Sequence, residues 1–202
     1  MIQAKSGSAT ILRLPAAEQK GKMSLEEALA RRRSIREFTR AALTERELSQ
    51  LLWAAQGITH AQGLRTAPSA GALYPLEIYL ATASGLYHYE PRGHRLVGLS
   101  EGDLRAAMRR AALDQEAVTQ APAVFVFTAV YERISHKYGA ARTPRYVYME
   151  VGHAAQNLLL QAVSLGLGGV PVGAFDDEAL HKALGLPVDQ HPLYAIPVGH
   201  PR

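Results

Sequence analysis

Eight consecutive residues, Ala123-Val124-Phe125-Val126-Phe127-Thr128-Ala129-Val130, constrain this chain more than any other stretch. The run is β-branched and aromatic and carries no charge. A strand with one wet face alternates apolar and polar side chains; this one is apolar on both, which is the pattern of a strand covered by protein on each side. A chain of 202 residues, 48% of them hydrophobic, can bury such a core within a single domain.

The elements around that strand follow from local signals. Ser24-Leu25-Glu26-Glu27 and Thr44-Glu45-Arg46-Glu47 both read as capping boxes. The first opens a helix running to about Arg33; the second opens one with Leu48, Leu51, Leu52 and Ala55 on one face, stopped at Gly57. Residues 60–75 have no clean period and many small side chains, and are expected to form a loop. Residues 77–83 and 86–89 read as strands about a turn at Ser84-Gly85, with 95–99 as a third. Ser100 is expected to cap a helix reaching Ala112. A loop holding Lys137, Tyr138 and Pro144 leads to the longest helix, about 145–165, whose apolar stripe is Val147, Val151, Ala154, Leu158, Ala162 and Leu165. Its other stripe, Glu150, His153, Asn157, Gln161 and Ser164, is polar but almost uncharged. That implies cover by protein, either a second subunit or polar contacts within the chain. Short strands at 168–172 and 194–198 bracket a helix at 177–184. Without strict βαβ alternation the class is α+β, with a mostly antiparallel central sheet flanked by helices.

Composition removes several chemistries. There is no cysteine, so disulfides, thiolate catalysis, iron–sulfur clusters and Cys-type zinc sites are excluded. The eight histidines form no HExxH and no i,i+4 pair, so no metal site is expected. Residues 1–22 carry Lys5, Arg13, Glu18, Lys20 and Lys22 and lack an apolar core, unlike a signal peptide. No uncharged apolar run is long enough to cross a bilayer, and the expected setting is cytoplasmic. The net charge of +4 is localised: residues 1–40 hold nine Lys/Arg against four Asp/Glu, and residues 41–202 thirteen against fourteen. Nucleic-acid binding usually draws on an extended basic stripe; a local cluster suits a small anion.

That cluster is Arg31-Arg32-Arg33-Ser34-Ile35-Arg36. Cations favour a helix C-terminus, which accounts for one or two arginines but not readily for four and a hydroxyl. Guanidinium forks and hydroxyls are also the groups that hold phosphate oxygens. Pro68-Ser69-Ala70-Gly71-Ala72-Leu73-Tyr74-Pro75 reads either as a tight structured loop or as backbone bared for a planar ligand. Ser69 lacks a nucleophile elbow, so serine hydrolase chemistry is not supported. The glycines at 166, 168, 169 and 173 follow a helix and enter a strand, the reverse of a dinucleotide-binding loop. Lys137-Tyr138 is either a solvated pair or a proton-transfer pair.

Taken together, these stretches resemble the nitroreductase superfamily, and most closely its SagB-type dehydrogenase branch. The matching residues are Arg32-Arg33-Ser34-Ile35-Arg36-Glu37-Phe38, Arg65-Thr66-Ala67-Pro68-Ser69-Ala70-Gly71-Ala72-Leu73-Tyr74-Pro75, Lys137-Tyr138-Gly139, Glu150-Val151-Gly152-His153-Ala154-Ala155-Gln156-Asn157 and Gly173-Ala174-Phe175-Asp176-Asp177. They occur in the family's order from about Met23 onward. The resemblance divides the chain into an N-terminal extension, 1–22, and an FMN-binding domain, 23–202.

It implies an FMN-dependent homodimer with the flavin at the subunit interface and the long helix central to that interface. Arg32, Arg33 and Ser34 would hold the FMN phosphate and ribityl chain, and Arg36 would sit near the pyrimidine end of the ring. Pro68, Ser69 and Ala70 would come from the partner subunit, with Gly71, Leu73, Asn157 and Arg202 completing the set. Pro171, Val172, Gly173 and Ala174 would pass along the ring. The implied activity is two-electron, ping-pong reduction of nitroaromatic or quinone-type acceptors by NAD(P)H. An alternative is a SagB-like dehydrogenation of peptide azolines or other heterocycles, with Lys137 and Tyr138 as acid and base. A flavin-binding or redox-sensing protein without turnover is the reading from another class. Two departures stand out. Many nitroreductases have asparagine where Ala72 stands. Many also carry further basic residues beyond the equivalent of Val198-Gly199-His200, where this sequence has Arg202.

Overall fold

The computed structural model describes residues 10–202. At its centre lies the strand Ala123–Val130, buried along its whole length. Phe125, Phe127 and Ala129 point into one core, with Leu51, Leu52, Ala55, Val147, Ala154 and Leu158. Val124 and Val126 point into a second core on the other face, with Met108, Ala111, Val118, Leu180 and Leu184. The uninterrupted apolar run thus has the cause expected of it. Each Val, Leu, Phe or Met side chain so enclosed contributes about 1.5–3 kcal/mol.

Seven strands form the sheet: β1 Ile11–Arg13, β2 Leu76–Thr82, β3 Gly85–Glu90, β4 Arg95–Glu101, β5 Ala123–Val130, β6 Gly168–Gly169 and β7 Gln190–Gly199, in spatial order β1-β4-β3-β2-β5-β7-β6. All six neighbouring pairs are antiparallel. Helices α1 Leu25–Arg31, α2 Glu45–Gln56 and α6 Thr143–Ser164 cover one side; α3 Arg105–Ala111, α4 Ala117–Gln120 and α7 Asp177–Leu184 cover the other, and α5 Glu132–Tyr138 leads into α6. This is the expected α+β class, with an antiparallel sheet flanked by helices. Residues 1–9 of the segment read as an extension lie outside the described residues; Ile11–Arg13 pairs with β4.

Most boundaries match the capping signals. Thr44 and Glu47 form the full reciprocal box at α2. At α1 the Ser24 side chain accepts the Glu27 N–H, and the helix ends at Arg31, two residues early. Gly166, at φ +74°, closes α6 as expected, with the Leu167 N–H reaching back to the Ala162 carbonyl at 2.8 Å.

Three readings need correction. Ser100 does not cap a helix: it pairs with Leu86 inside β4, and α3 starts at Arg105 without a side-chain cap. Lys137 and Tyr138 are not in a loop but in the last turn of α5, whose seven residues are too few to show a helical period. The strand expected at 168–172 is only the pair Gly168–Gly169, with Val172 making a lone bridge to Ala195.

Candidate active site

The arginine cluster divides its labour. Arg31 ion-pairs with Glu27 at 2.6 Å, one turn back. Arg33 Nη1 donates to the carbonyls of Ala30 (2.9 Å) and Arg32 (2.7 Å) at the end of α1. These two serve the negative end of the helix. Among the described residues, Arg32, Arg36 and the Ser34 hydroxyl have no hydrogen-bond or ion-pair partner within the chain.

Backbone pairing brings two other segments beside them. Ser34 forms a parallel bridge with Gly169, and the Ile35 N–H donates to the Gly169 carbonyl at 3.1 Å. Farther on, Thr39 N–H donates to the His200 carbonyl (2.9 Å) and Arg202 N–H to the Glu37 carbonyl (3.3 Å). Phe38, 2% exposed, anchors the strip in the core and bridges Pro201. Two glycines permit this closeness: a Cβ on Gly168 would stand 2.7 Å from the Ile35 Cβ, and one on Gly199 would stand 2.6 Å from Pro122 Cδ and 3.1 Å from Phe38. The result is an exposed strip of phosphate-type donors drawn from both ends of the sequence.

Residues 171–174 continue directly from β6. Val172 is fixed by two hydrogen bonds with Ala195, 2.8 and 3.0 Å, and the Gln115 amide holds the Ala174 carbonyl at 2.9 Å. Gly173 and Ala174 are exposed, and a Cβ on Gly173 would touch only the Tyr194 ring, at 3.7 Å. Their backbone therefore lines an open face in line with the arginine strip.

Residues 65–75 form the third part. Gly71, Ala72 and Tyr74 all have positive φ (63°, 54° and 49°), and the last two cost about 1–2 kcal/mol each as non-glycine residues. Local ties hold this shape. Ser69 Oγ accepts the Tyr74 N–H at 2.9 Å, its carbonyl accepts the Ala72 N–H at 3.0 Å, and the Tyr74 hydroxyl accepts the Arg65 N–H at 3.1 Å. The Arg65 guanidinium lies 4.4 Å over the Tyr74 ring. Arg133 on α5 donates to the Tyr74 carbonyl at 3.0 Å and to Glu77, whose other oxygen pairs with His88 at 2.7 Å. Burial pushes the Glu77 carboxyl up, but His88 and Arg133 outweigh it and hold it below its usual range.

Lys137 and Tyr138 meet this loop at Gly71. A Cβ there would lie 2.9 Å from Lys137 Nζ and 3.0 Å from the Tyr138 hydroxyl, so glycine serves both its positive φ and the approach of the two side chains. The Tyr138 ring packs on Tyr146 of α6 at 4.6 Å between centroids. Beneath, α6 presents Asn157, whose Nδ2 donates to the Thr66 carbonyl at 3.3 Å, and Glu150. Glu150 is 1% exposed. Its carboxyl lies against the Ser69 hydroxyl and the Gln56 amide, but neither contact has formed hydrogen-bond geometry. Burial raises its pKa to about 7, with Ser69, Arg65 and Gln56 pulling the other way.

The predicted site residues thus fall into two constellations. Arg32, Ser34, Arg36 and Arg202 share one strip that leads to Pro171, Val172, Gly173 and Ala174. Pro68, Ser69, Ala70, Gly71 and Leu73 lie with Lys137, Tyr138 and Asn157. Among the described residues no hydrogen bond or ion pair within one chain links the two. A groove of about 910 Å³ between residues 15–25, α2 and α6 touches the second set only at Asn157, beside Thr66. Sequence reasoning gave no role to Arg65, Gln56, Glu77, Arg133 or Glu150. A signal existed for Glu150, the sole acid in the 22 residues of α6 and placed on its uncharged stripe.

Comparisons with known proteins bear on the family and the fold. The model of the nitroreductase family matches residues 29–200. The MJ1384 protein of Methanocaldococcus jannaschii, which carries a nitroreductase name, is 43% identical over 199 residues, covering 96% of this chain and 98% of that one. A crystal structure of a nitroreductase-type protein from Ralstonia eutropha JMP134 superposes with a TM-score of 0.87 at 31% identity, over 95% of this chain and 90% of that one. More distant relatives include the NADPH-flavin oxidoreductase of Vibrio harveyi, 28% identical over 87% of this chain and 65% of its own length. Another is the microcin B17-processing protein McbC of Escherichia coli, 28% identical over 60% of this chain and 48% of its own. McbC carries the resemblance to the SagB-type branch. Similarity along nearly the whole chain, on this fold, makes the protein a member of the nitroreductase family of oxidoreductases.

Proposed function

We propose that the protein is an FMN-dependent oxidoreductase that works as a homodimer, moving two electrons as a hydride from NAD(P)H to a small acceptor in a ping-pong cycle. The observation that carries this reading is the strip of unpaired phosphate-type donors hydrogen-bonded alongside Gly169, four residues before the exposed amide of Gly173. Those residues fit FMN. A phosphate dianion is best met by guanidinium, hydroxyl and backbone donors, and Arg32, Ser34 and Arg36 offer them without a competing acid pairing. Gly168 and Gly199, where no Cβ has room, keep the strip closed against β6 and β7.

When bound, FMN supplies the hydride chemistry. The chain's own residues bind and orient. Arg32, Ser34 and Arg202, with the donors of Arg33 that are not used at the helix end, would hold the phosphate and ribityl chain. Arg36 would place a cation by the pyrimidine end, where negative charge develops on reduction. Residues 171–174 would lie along the ring. Pro68, Ser69, Ala70, Gly71, Leu73 and Asn157 would close the cleft from the partner subunit. The exposed Tyr148, Met149 and His153 on α6 supply a face for that partner. No helix among the described residues is long and apolar enough to cross a membrane, and a cytoplasmic setting is part of the proposal. A nicotinamide would enter the same cleft transiently, and nitroaromatics or quinones are the proposed acceptors.

Anaerobic mixing with NADH and with NADPH tests this. At least one should bleach the visible flavin band, and the oxidised band should return on adding a quinone. A flavin that neither nicotinamide reduces would leave a binding or redox-sensing protein instead. One observation favours a second reading, dehydrogenation of a peptide-borne azoline: Lys137 and Tyr138 converge on Gly71. Under that reading Lys137→Ala keeps FMN but loses azoline oxidation, whereas unchanged oxidation would rule the pair out.

A further inference from the structure

Glu150 is the one buried carboxyl in the protein with neither oxygen in a formed hydrogen bond among the described residues, and the Gln56 amide nitrogen beside it is unpaired as well. Two unsatisfied groups facing each other in the core beneath a strained loop call for a reason. Ser69 supplies it. The oxygens of that residue accept the amides of Tyr74 and Ala72, and so hold three left-handed residues in place. Its hydroxyl has one lone pair and one proton still uncommitted, and Glu150 lies beside it.

We propose that Glu150 is a positioning residue for residues 65–75: its carboxyl bridges the Ser69 hydroxyl and the Gln56 amide, and thereby sets where the Pro68 to Gly71 backbone stands in the flavin cleft. The inference rests on the flavin reading for its purpose, but not for its geometry. Protonated, the carboxyl donates from one oxygen to Ser69 Oγ and accepts the Gln56 Nε2–H at the other; ionised, it accepts from both. Gln56 is fixed from behind, because its Oε1 accepts from Arg65 Nη1 at 2.9 Å. The chain Arg65–Gln56–Glu150–Ser69 therefore ties the start of the loop to its middle through two helices. Glutamine at position 150 has the same order of donor and acceptor as the neutral acid; leucine has the volume without either group.

The test is amide hydrogen exchange at Ala72, Leu73 and Tyr74 in the full chain, without and with FMN, together with the FMN dissociation constant and visible circular dichroism. In E150Q, exchange should stay within threefold of the wild type. In E150L it should quicken at least tenfold, FMN should bind at least tenfold more weakly, and the flavin dichroism should change shape. In the S69A background E150L should add no further loss, since its route is gone. E150D withdraws the acid by one methylene, is expected to behave as E150L does, and covers the case in which E150L does not fold. Wild-type exchange in E150L or E150D would overturn the proposal, as would E150Q proving as loose as they are. A wild-type protein that binds no FMN would defeat the flavin reading, and the exchange rates of the FMN-free chains would still decide this one.

Discussion

Gly168→Ala is the substitution whose cost the structure specifies best. The added methyl would stand 2.7, 2.8 and 2.9 Å from three carbons of Ile35, where carbon atoms prefer about 3.5–4.0 Å. Ile35 is β-branched and cannot swing its Cβ aside, so the two backbones must part by about 0.8 Å. The bond between Ile35 N–H and the Gly169 carbonyl is now 3.1 Å. That displacement takes it past hydrogen-bond range. Overpacking of this kind costs about 1–3 kcal/mol and the lost bond about 1 kcal/mol. The sum, about 3 kcal/mol, corresponds to a fall in Tm of roughly 6–12 °C for a domain of this size. Urea unfolding of the FMN-free protein measures the stability, and FMN titration measures the consequence for the arginine strip, which should lose at least tenfold in affinity. Gly173→Ala is the control. Its methyl would meet only Tyr194 at 3.7 Å, so stability should change by less than about 0.5 kcal/mol. G168A with wild-type stability, or G173A as damaging to the fold as G168A, would refute the packing argument.

Two further predictions concern pH. The Glu150 carboxyl titrates at about 7 in the fold against an ordinary 4.5. Its contribution is therefore fully present below pH 4.5 and is lost as pH rises through 7; the difference is about 3 kcal/mol, and E150Q should remove that slope from a series of urea midpoints. His94 behaves in the opposite sense. It donates from Nε2 to Ser49 Oγ at 2.7 Å and accepts the Tyr89 hydroxyl at Nδ1 (2.8 Å), because Ser49 already donates to the Pro15 carbonyl at 2.6 Å. Burial lowers its pKa from 6.5, the Pro15 carbonyl offsetting only part. Stability from this source is present above pH 6.5 and declines as pH falls below it, and His94→Asn should flatten the decline measured by urea midpoints between pH 7 and 5.

The fold was legible where one signal sufficed. The 123–130 run specified a strand between two layers, and the capping residues Ser24 and Thr44 marked two helix starts to within a residue. Short elements held by tertiary contact were not legible. The chain of α5 has too few residues to display a period, and β1 exists because Ile11–Arg13 has β4 to pair with. In the site, the arginine strip and the loop could be named as groups, since each concentrates unusual residues. What each packs against could not be read: the Ser34–Gly169 bridge and the Lys137–Gly71 contact are made by backbone and by an absent Cβ, and neither leaves a pattern within one segment. Glu150 showed itself as an uncharged stripe's lone acid, but its partners Gln56 and Ser69 lie 94 and 81 residues away in sequence.

The central claim is that Arg32, Ser34 and their neighbours clasp the phosphate of FMN, and comparing FMN with riboflavin, which differs only by that phosphate, isolates it. Equilibrium titrations of the wild type and of Arg32→Ala should show FMN preferred by at least about a hundredfold, or about 2.8 kcal/mol, in the wild type, with most of that preference gone in the variant. Equal affinity of the wild type for both flavins, or an undiminished preference in Arg32→Ala, would contradict the account.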